Sequence, residues 1–259
     1  MIEGGYVAAG ALTGFMVGLT GVGGGALMTP ILLLFFGIAP TTAIATDLWF
    51  AAITKVTAAR IHQRRGQVDW PVVRRLWMGS LPVAALTVLV VTQGVRTWHV
   101  EWLTKAVGLV VLVTAIGLLL APWLSSLGRG QRLGHPREFK ALQPLLTVLA
   151  GAVLGLCVAL TSVGAGTLGT VMLLSLYPLR MTPHRLVATD LVHAIPLAVI
   201  AGLGYLLAGL TDGRMLLSLL VGSLPAVVLG SLLAGRLNGR LIQVLLGVVL
   251  LATGFKTLQ

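Results

Sequence analysis

Apolar runs long enough to cross a lipid bilayer recur along this chain, and nothing else in the sequence constrains its fold as strongly. They fall at 72–93, 100–122, 183–208, 214–234 and 239–257, each near the ~20 residues with which a helix spans about 30 Å of hydrocarbon. A sixth, 41–60, carries Asp47 and Lys55 within it. With 57% hydrophobic and 10% charged residues, the chain reads as an all-α polytopic membrane protein. Met1 to Leu19 contains Glu3 in place of a basic leader region and shows no small-residue cleavage pattern, so it is expected to remain in the mature chain. The expected location is a bacterial-type inner (plasma) membrane. Cys157 is the one cysteine; it permits no intramolecular disulfide and no cysteine-cluster metal site.

The chain is also a duplication. Displaced by 143 positions, Pro40 meets Pro183, "ATDL" at Ala45 to Leu48 meets "ATDL" at Ala188 to Leu191, Asp69 meets Asp212, and "GSLP" at Gly79 to Pro82 meets "GSLP" at Gly222 to Pro225. Displaced by 141, "LTGVGGG" from Leu19 meets "LTSVGAG" from Leu160. The expected boundaries are a first membrane repeat over 1–122, a cytoplasmic basic linker over 123–141 and a second repeat over 142–259.

The net charge of +11 does not point to nucleic acid, because the basic residues sit in short loops beside apolar spans without interleaved aromatics. The positive-inside rule accounts for them. Loops 60–75, 123–141, 179–185 and 235–240 hold thirteen Lys and Arg, against Arg96, Lys105, Arg214 and Lys256 on the other side. That bias makes each half cross the membrane three times after its glycine segment. An odd number of crossings inverts the second repeat relative to the first, as in many secondary transporters. The glycine segments then become hairpins. The arms of the first, Tyr6–Leu19 and Ala26–Ile38, are about 20 Å long as helix, too short to span, and so look re-entrant. In the second, Leu142–Leu160 could span alone and Thr167–Tyr177 could not; five crossings per half would preserve the inversion. The expected fold is therefore two inverted-topology repeats, each a re-entrant-like hairpin plus three transmembrane helices.

Two hairpins entering from opposite faces bring Thr20–Gly25 and Thr161–Thr167 toward one another near the midplane. Each tip begins a helix, whose unpaired N–H groups and positive dipole end favour an anion that glycine lets approach closely. Thr20, Gly21, Gly23, Gly24 and Gly25 in the first tip, and Thr161, Ser162, Gly164, Gly166 and Thr167 in the second, are the candidate substrate ligands. The alternative is that these small residues only permit close helix packing.

The segment "GVGGGALMTPILLLFFGI", the repeated "ATDL" and "GSLP" and the two-half hydropathy resemble the sulfite exporter TauE/SafE family of membrane permeases over nearly the whole chain. "ATDLWFAAITKVTAARIHQRRGQVDW" is similar to a branch in which "ATDL" precedes a Lys-bearing helix and a basic loop ending in "VDW". The resemblance implies passage of small sulfur-containing anions such as sulfite, sulfonates or organosulfur acids. The second tip departs from the glycine run, with Ser162 and Ala165 where the first has Gly21 and Gly24.

Asp47 and Asp190 each lie seven residues beyond a proline, about 10 Å into a helix. Intramembrane carboxylates normally face a cavity or a partner and mark an ion or proton path; these two are the candidate coupling residues, with protons as the coupling ion. The alternative is that each bonds a neighbouring broken helix and fixes the fold. Lys55, about 80° around the helix from Asp47, is a candidate anion ligand or a residue snorkelling to the cytoplasmic side. His193, three after Asp190, is a further candidate ligand or a hydrogen-bonded packing residue. Two other classes remain open at this point: an intramembrane hydrolase using Ser162, His193 and Asp190, and an anion channel or non-transporting scaffold. No phosphate-binding loop for ATP is present, and no cofactor or metal is expected. The reading is of a non-enzymatic permease whose partners are a small anion and the lipid bilayer.

Overall fold

The structure is a computed structural model that describes residues 3–20, 25–63, 68–97, 136–164, 166–177 and 180–233 continuously, with scattered helical residues between 108 and 120 and between 248 and 255. Every described element is a helix: α1 (Gly4–Thr20), α2 (Gly25–Phe35), α3 (Pro40–Gln63), α4 (Trp70–Thr97), α5 (Pro136–Thr161), α6 (Thr167–Leu176), α7 (Pro183–Leu207) and α8 (Gly213–Leu233). The spans expected over 100–122 and 239–257 lie largely outside the described residues.

Four stretches are long and apolar enough to cross a membrane: Trp70–Gly94, Lys140–Thr161, Arg185–Leu207 and Gly213–Leu233. Their exposed faces are oily. On α5, Leu142, Leu145, Leu149, Val153 and Leu156 are exposed in one stripe, the three- and four-residue spacing of a single helix face turned to lipid. The arms that the sequence suggested are short do prove short: α2 and α6 have 11 and 10 residues, about 15 Å of helix. α1 runs to 17 residues, longer than its expected arm. α5 begins at Pro136, inside the stretch expected as linker; proline lacks the N–H that a first helical turn leaves unpaired, and suits that start.

α3 and α7 form the centre. Ile44, Leu48 and Ala52 of α3 pack with Ala194, Leu197 and Ala201 of α7 in the largest core cluster, closed by Ala84 and Val88 of α4 and Val158 of α5. α7 is the most enclosed of the four long apolar helices.

Around this pair the repeats exchange partners. α1 packs on α8, and α5 packs on α4. Both seams are glycine-to-backbone contacts: a Cβ on Gly10 or Gly14 would strike the backbone of Leu219 or Ser223, and a Cβ on Gly151 or Gly155 would strike that of Leu76 or Ser80. In repeat numbering these are the same contacts. Gly79 against Val148 and Gly222 against Val7 repeat the correspondence from the opposing helices. Such small-residue seams allow the close approach that substitutes for hydrophobic driving force in lipid.

The "ATDL" threonines complete the exchange. The Asp69 amide donates to Thr189 Oγ1 at 3.1 Å, and the Asp212 amide donates to Thr46 Oγ1 at 3.2 Å. Each repeat thus ties the loop ahead of its own long helix to the other repeat's central helix. Beyond that the ends differ. Asp69 is fully buried and paired with Arg180, its Oδ2 at 2.6 Å from Nε, with Arg185 Nε at 3.8 Å. Asp212 instead accepts from the Arg214 and Met215 amides, at 2.9 and 3.0 Å, and caps α8.

Candidate functional site

The aspartates of the two "ATDL" elements point inward from α3 and α7. Asp47 is fully buried, and its Oδ2 accepts a 2.5 Å hydrogen bond from Thr29 Oγ1, one turn into α2. Asp190, 2% exposed, lies against Gly169 in the first turn of α6, where a Cβ would overlap its Oδ1. Each carboxylate therefore stands near the start of a short helix, the end at which helix dipoles favour negative charge.

Lys55 is 3% exposed and does not reach the surface, so snorkelling does not describe it. It lies in electrostatic range of both Asp190 and Asp47, yet among the described residues no direct ion pair joins it to either. His193, fully buried, meets Ser80 Oγ through Nε2 at 3.0 Å, while its carbonyl accepts from Trp77 Nε1 at 3.1 Å. Lys55 is in electrostatic range of this ring too. A cavity of about 290 Å³ lies between α3, α4 and α7, with Arg60, Trp77 and Val192 in its wall.

The second tip is ordered by its own backbone. Thr161 Oγ1 donates to the Cys157 carbonyl at 2.7 Å and accepts from the Val163 amide at 3.1 Å. Its hydroxyl is committed to ending α5. Ser162 follows with φ +58°, the one non-glycine positive φ among the described residues, and Gly164 has φ +121°. Ser162 is buried and lies beside the Asp47 carboxylate. Gly166 precedes α6 and Thr167 opens it. In the first tip Thr20 ends α1 and Gly25 opens α2; Gly21, Gly23 and Gly24 lie outside the described residues.

The structure thus gathers Asp47, Lys55, Asp190, His193 and Ser162 from both repeats. It does not assemble the hydrolase arrangement: His193 Nε2 engages Ser80, and Ser162 lies beside Asp47. Thr29, Gly169, Ser80 and Trp77 belong to the surroundings of the cluster and were not singled out in the sequence. Ser80 had a signal, since it lies in the duplicated "GSLP". Gly169→Ala should lower melting temperature and solute flux together, because the new methyl displaces Asp190; unchanged flux by purified protein would separate that carboxylate from function.

Membrane-spanning helices packed around a central pair that carries buried charged and polar groups are the architecture of a membrane transporter. The sequence pattern described as "Sulfite exporter TauE/SafE" matches residues 6–257, and the chain belongs to that family. It is 35% identical over 250 residues to a probable membrane transporter protein, YjnA, of Bacillus subtilis (strain 168), covering 95% of this chain and 96% of that one. It is 25% identical over 224 residues to another from the same organism, YdhB, covering 85% of each. A probable membrane transporter protein of Haemophilus influenzae is 28% identical over 164 residues, 61% of this chain and 57% of that one. No solved structure matches.

Proposed function

We propose that this multi-pass membrane transporter is a secondary permease for a small anion of the sulfur oxyanion or organosulfur class, coupled to protons through Asp47 and Asp190. The observation that carries the reading is the seating of Asp47 against Thr29 near the start of α2, with Lys55 buried in electrostatic range of both aspartates. While ionised, Asp47 supplies the negative charge that the positive end of α2 favours. Once protonated it no longer does, and a substrate anion takes that role beside the glycine tip. Proton and anion then load together. Lys55 and the Arg60 wall of the nearby cavity favour the same sign of substrate.

The substrate class rests on the family description, and the decisive experiment is a current screen of reconstituted protein on a solid-supported membrane. Sulfite, thiosulfate and sulfonates are expected to give saturable currents, and simple carboxylates weak ones. Saturable currents from carboxylates alone would move the substrate class elsewhere.

Alternating access further implies that the repeats are inverted, with the Asp69–Arg180 pair at the cytoplasmic end and Asp212 at the outer end. Cysteines at 180 and 212 should then label with impermeant reagent from opposite faces. Labelling of both from one face would remove the inversion.

A further inference from the structure

We propose that the Asp69–Arg180 ion pair is a latch that holds one end of the transport path shut, so that the resting protein opens preferentially at the other end, beside Asp212. The inference rests on the permease reading, in which the two ends open in turn. Asp69 is buried, and Arg180 grips both of its oxygens: Nη2 donates to Oδ1 at 2.9 Å and Nε lies 2.6 Å from Oδ2, with Arg185 Nε at 3.8 Å. The carboxylate belongs to the first repeat and both arginines to the second. Parting the repeats here strands a charge inside the protein, which is costly.

The Asp212 end has the same frame without the clasp. Displaced by 143 positions, Arg180 and Arg185 fall on Gly37 and Thr42, and among the described residues no Lys or Arg pairs with Asp212. A cavity of about 590 Å³ lies there instead, with Thr42, Asp212 and Arg214 in its wall. The Asp212 amide bond to Thr46, counterpart of the Asp69 bond to Thr189, is an uncharged tie. The turns ahead of the two central helices account for the difference. Residues 36–39 separate α2 from α3, and the longer 177–182, which carries Arg180, separates α6 from α7. That longer turn is itself fastened: the Arg180 and Met181 amides each donate to the Tyr177 carbonyl at 3.1 Å, and the Tyr177 hydroxyl meets Thr147 Oγ1 at 2.7 Å.

The glycine seams and threonine ties repeat from one half to the other, and the ion pair is the departure from that pattern. A contact made at one end alone favours the state in which that end is closed. The latch also adjoins the buried cluster. Thr189, which holds the Asp69 amide, precedes Asp190, and α6, whose first turn sets Gly169 against Asp190, leads into the turn that carries Arg180. Movement of either helix at the cluster is thus carried to an attachment of Asp69.

The test uses the purified full chain in detergent, where both ends meet reagent and neither substrate nor flux is needed. In a Cys157→Ala background, Thr46→Cys and Thr189→Cys report on the two ends; both positions are fully buried, and each substitution gives up the same bond at its own end. N-ethylmaleimide should label position 46 faster than 189. Arg180→Gln, which strands Asp69 with Arg185 alone nearby, should shift the balance of open ends about a hundredfold. From a resting ratio of about 1:99 that gives roughly equal populations, so labelling at 189 should rise about fiftyfold while labelling at 46 falls by about half. Arg180→Lys, which keeps the charge without the two-nitrogen grip, should move both rates the same way by less, and decides the matter if the Gln variant does not purify intact. The fall at 46 is the telling result, because a merely structural tie would expose 189 by local fraying and leave the far end unchanged. A rate at 46 that does not fall, or a rate at 189 that does not rise, would overturn the latch. Either result leaves the anion-permease reading standing, just as a failed anion screen leaves the reciprocal labelling intact.

Discussion

Proteoliposomes carrying Asp47→Asn or Asp190→Asn should lose accumulation driven by a pH gradient while retaining exchange of anion for anion. One proton moved with each anion down a one-unit gradient can concentrate substrate about tenfold, and in either variant that factor should fall to about one. The carboxamide has the shape of the carboxylate and cannot carry the proton. At position 47 it keeps an oxygen to accept from Thr29, so the seat on α2 survives. At position 190 both carboxylate oxygens lack hydrogen-bond partners, so the substitution breaks no hydrogen bond there. Exchange requires no net proton movement and reports that the protein is intact. If both variants accumulate substrate like the parent, the two aspartates serve the fold alone.

The largest effect on stability should come from Gly79→Val and Gly222→Val. A Cβ at either position overlaps a backbone carbonyl of the facing helix, that of Val148 or of Val7. Main chain cannot swing aside as a side chain does, so the helix pair must part along its length. Overpacking of this kind costs about 3 kcal/mol or more, and neither variant should give a monodisperse peak in detergent. Gly213→Ala is the contrast: nothing lies within 4 Å of the added carbon, and the variant should behave as the parent. Survival of Gly79→Val at the parent's melting temperature would mean that the α4–α5 seam is looser than described.

Hydropathy revealed the long helices among the described residues, because membrane length and lipid-facing composition are local properties of sequence. The short arms after each tip were legible for the same reason, and Asp47, Lys55, Asp190 and His193 stood out because charge is rare in such spans. Partner choice was not legible from hydropathy. Thr29 looks like any threonine in an apolar helix, and its role depends on an aspartate 18 residues on. The exchanged seams left a trace in the four-residue spacing of Gly10, Gly14 and Gly18 and of Gly151 and Gly155, but spacing marks a face without naming what covers it. Arg180 read as part of a positive-inside bias; its pairing with Asp69 is a tertiary fact. Thr161, read from the sequence as a candidate substrate ligand, also ends α5, where its hydroxyl donates to the carbonyl four residues back.

The seam between α1 and α8 also bears on how the protein is made. The Glu3 amide donates to the Ser218 hydroxyl, 215 residues away, so α1 finds its mate only when α8 has been synthesised. A chain interrupted before residue 213 would leave Gly10, Gly14 and Gly18 of α1 without the α8 backbone they pack against.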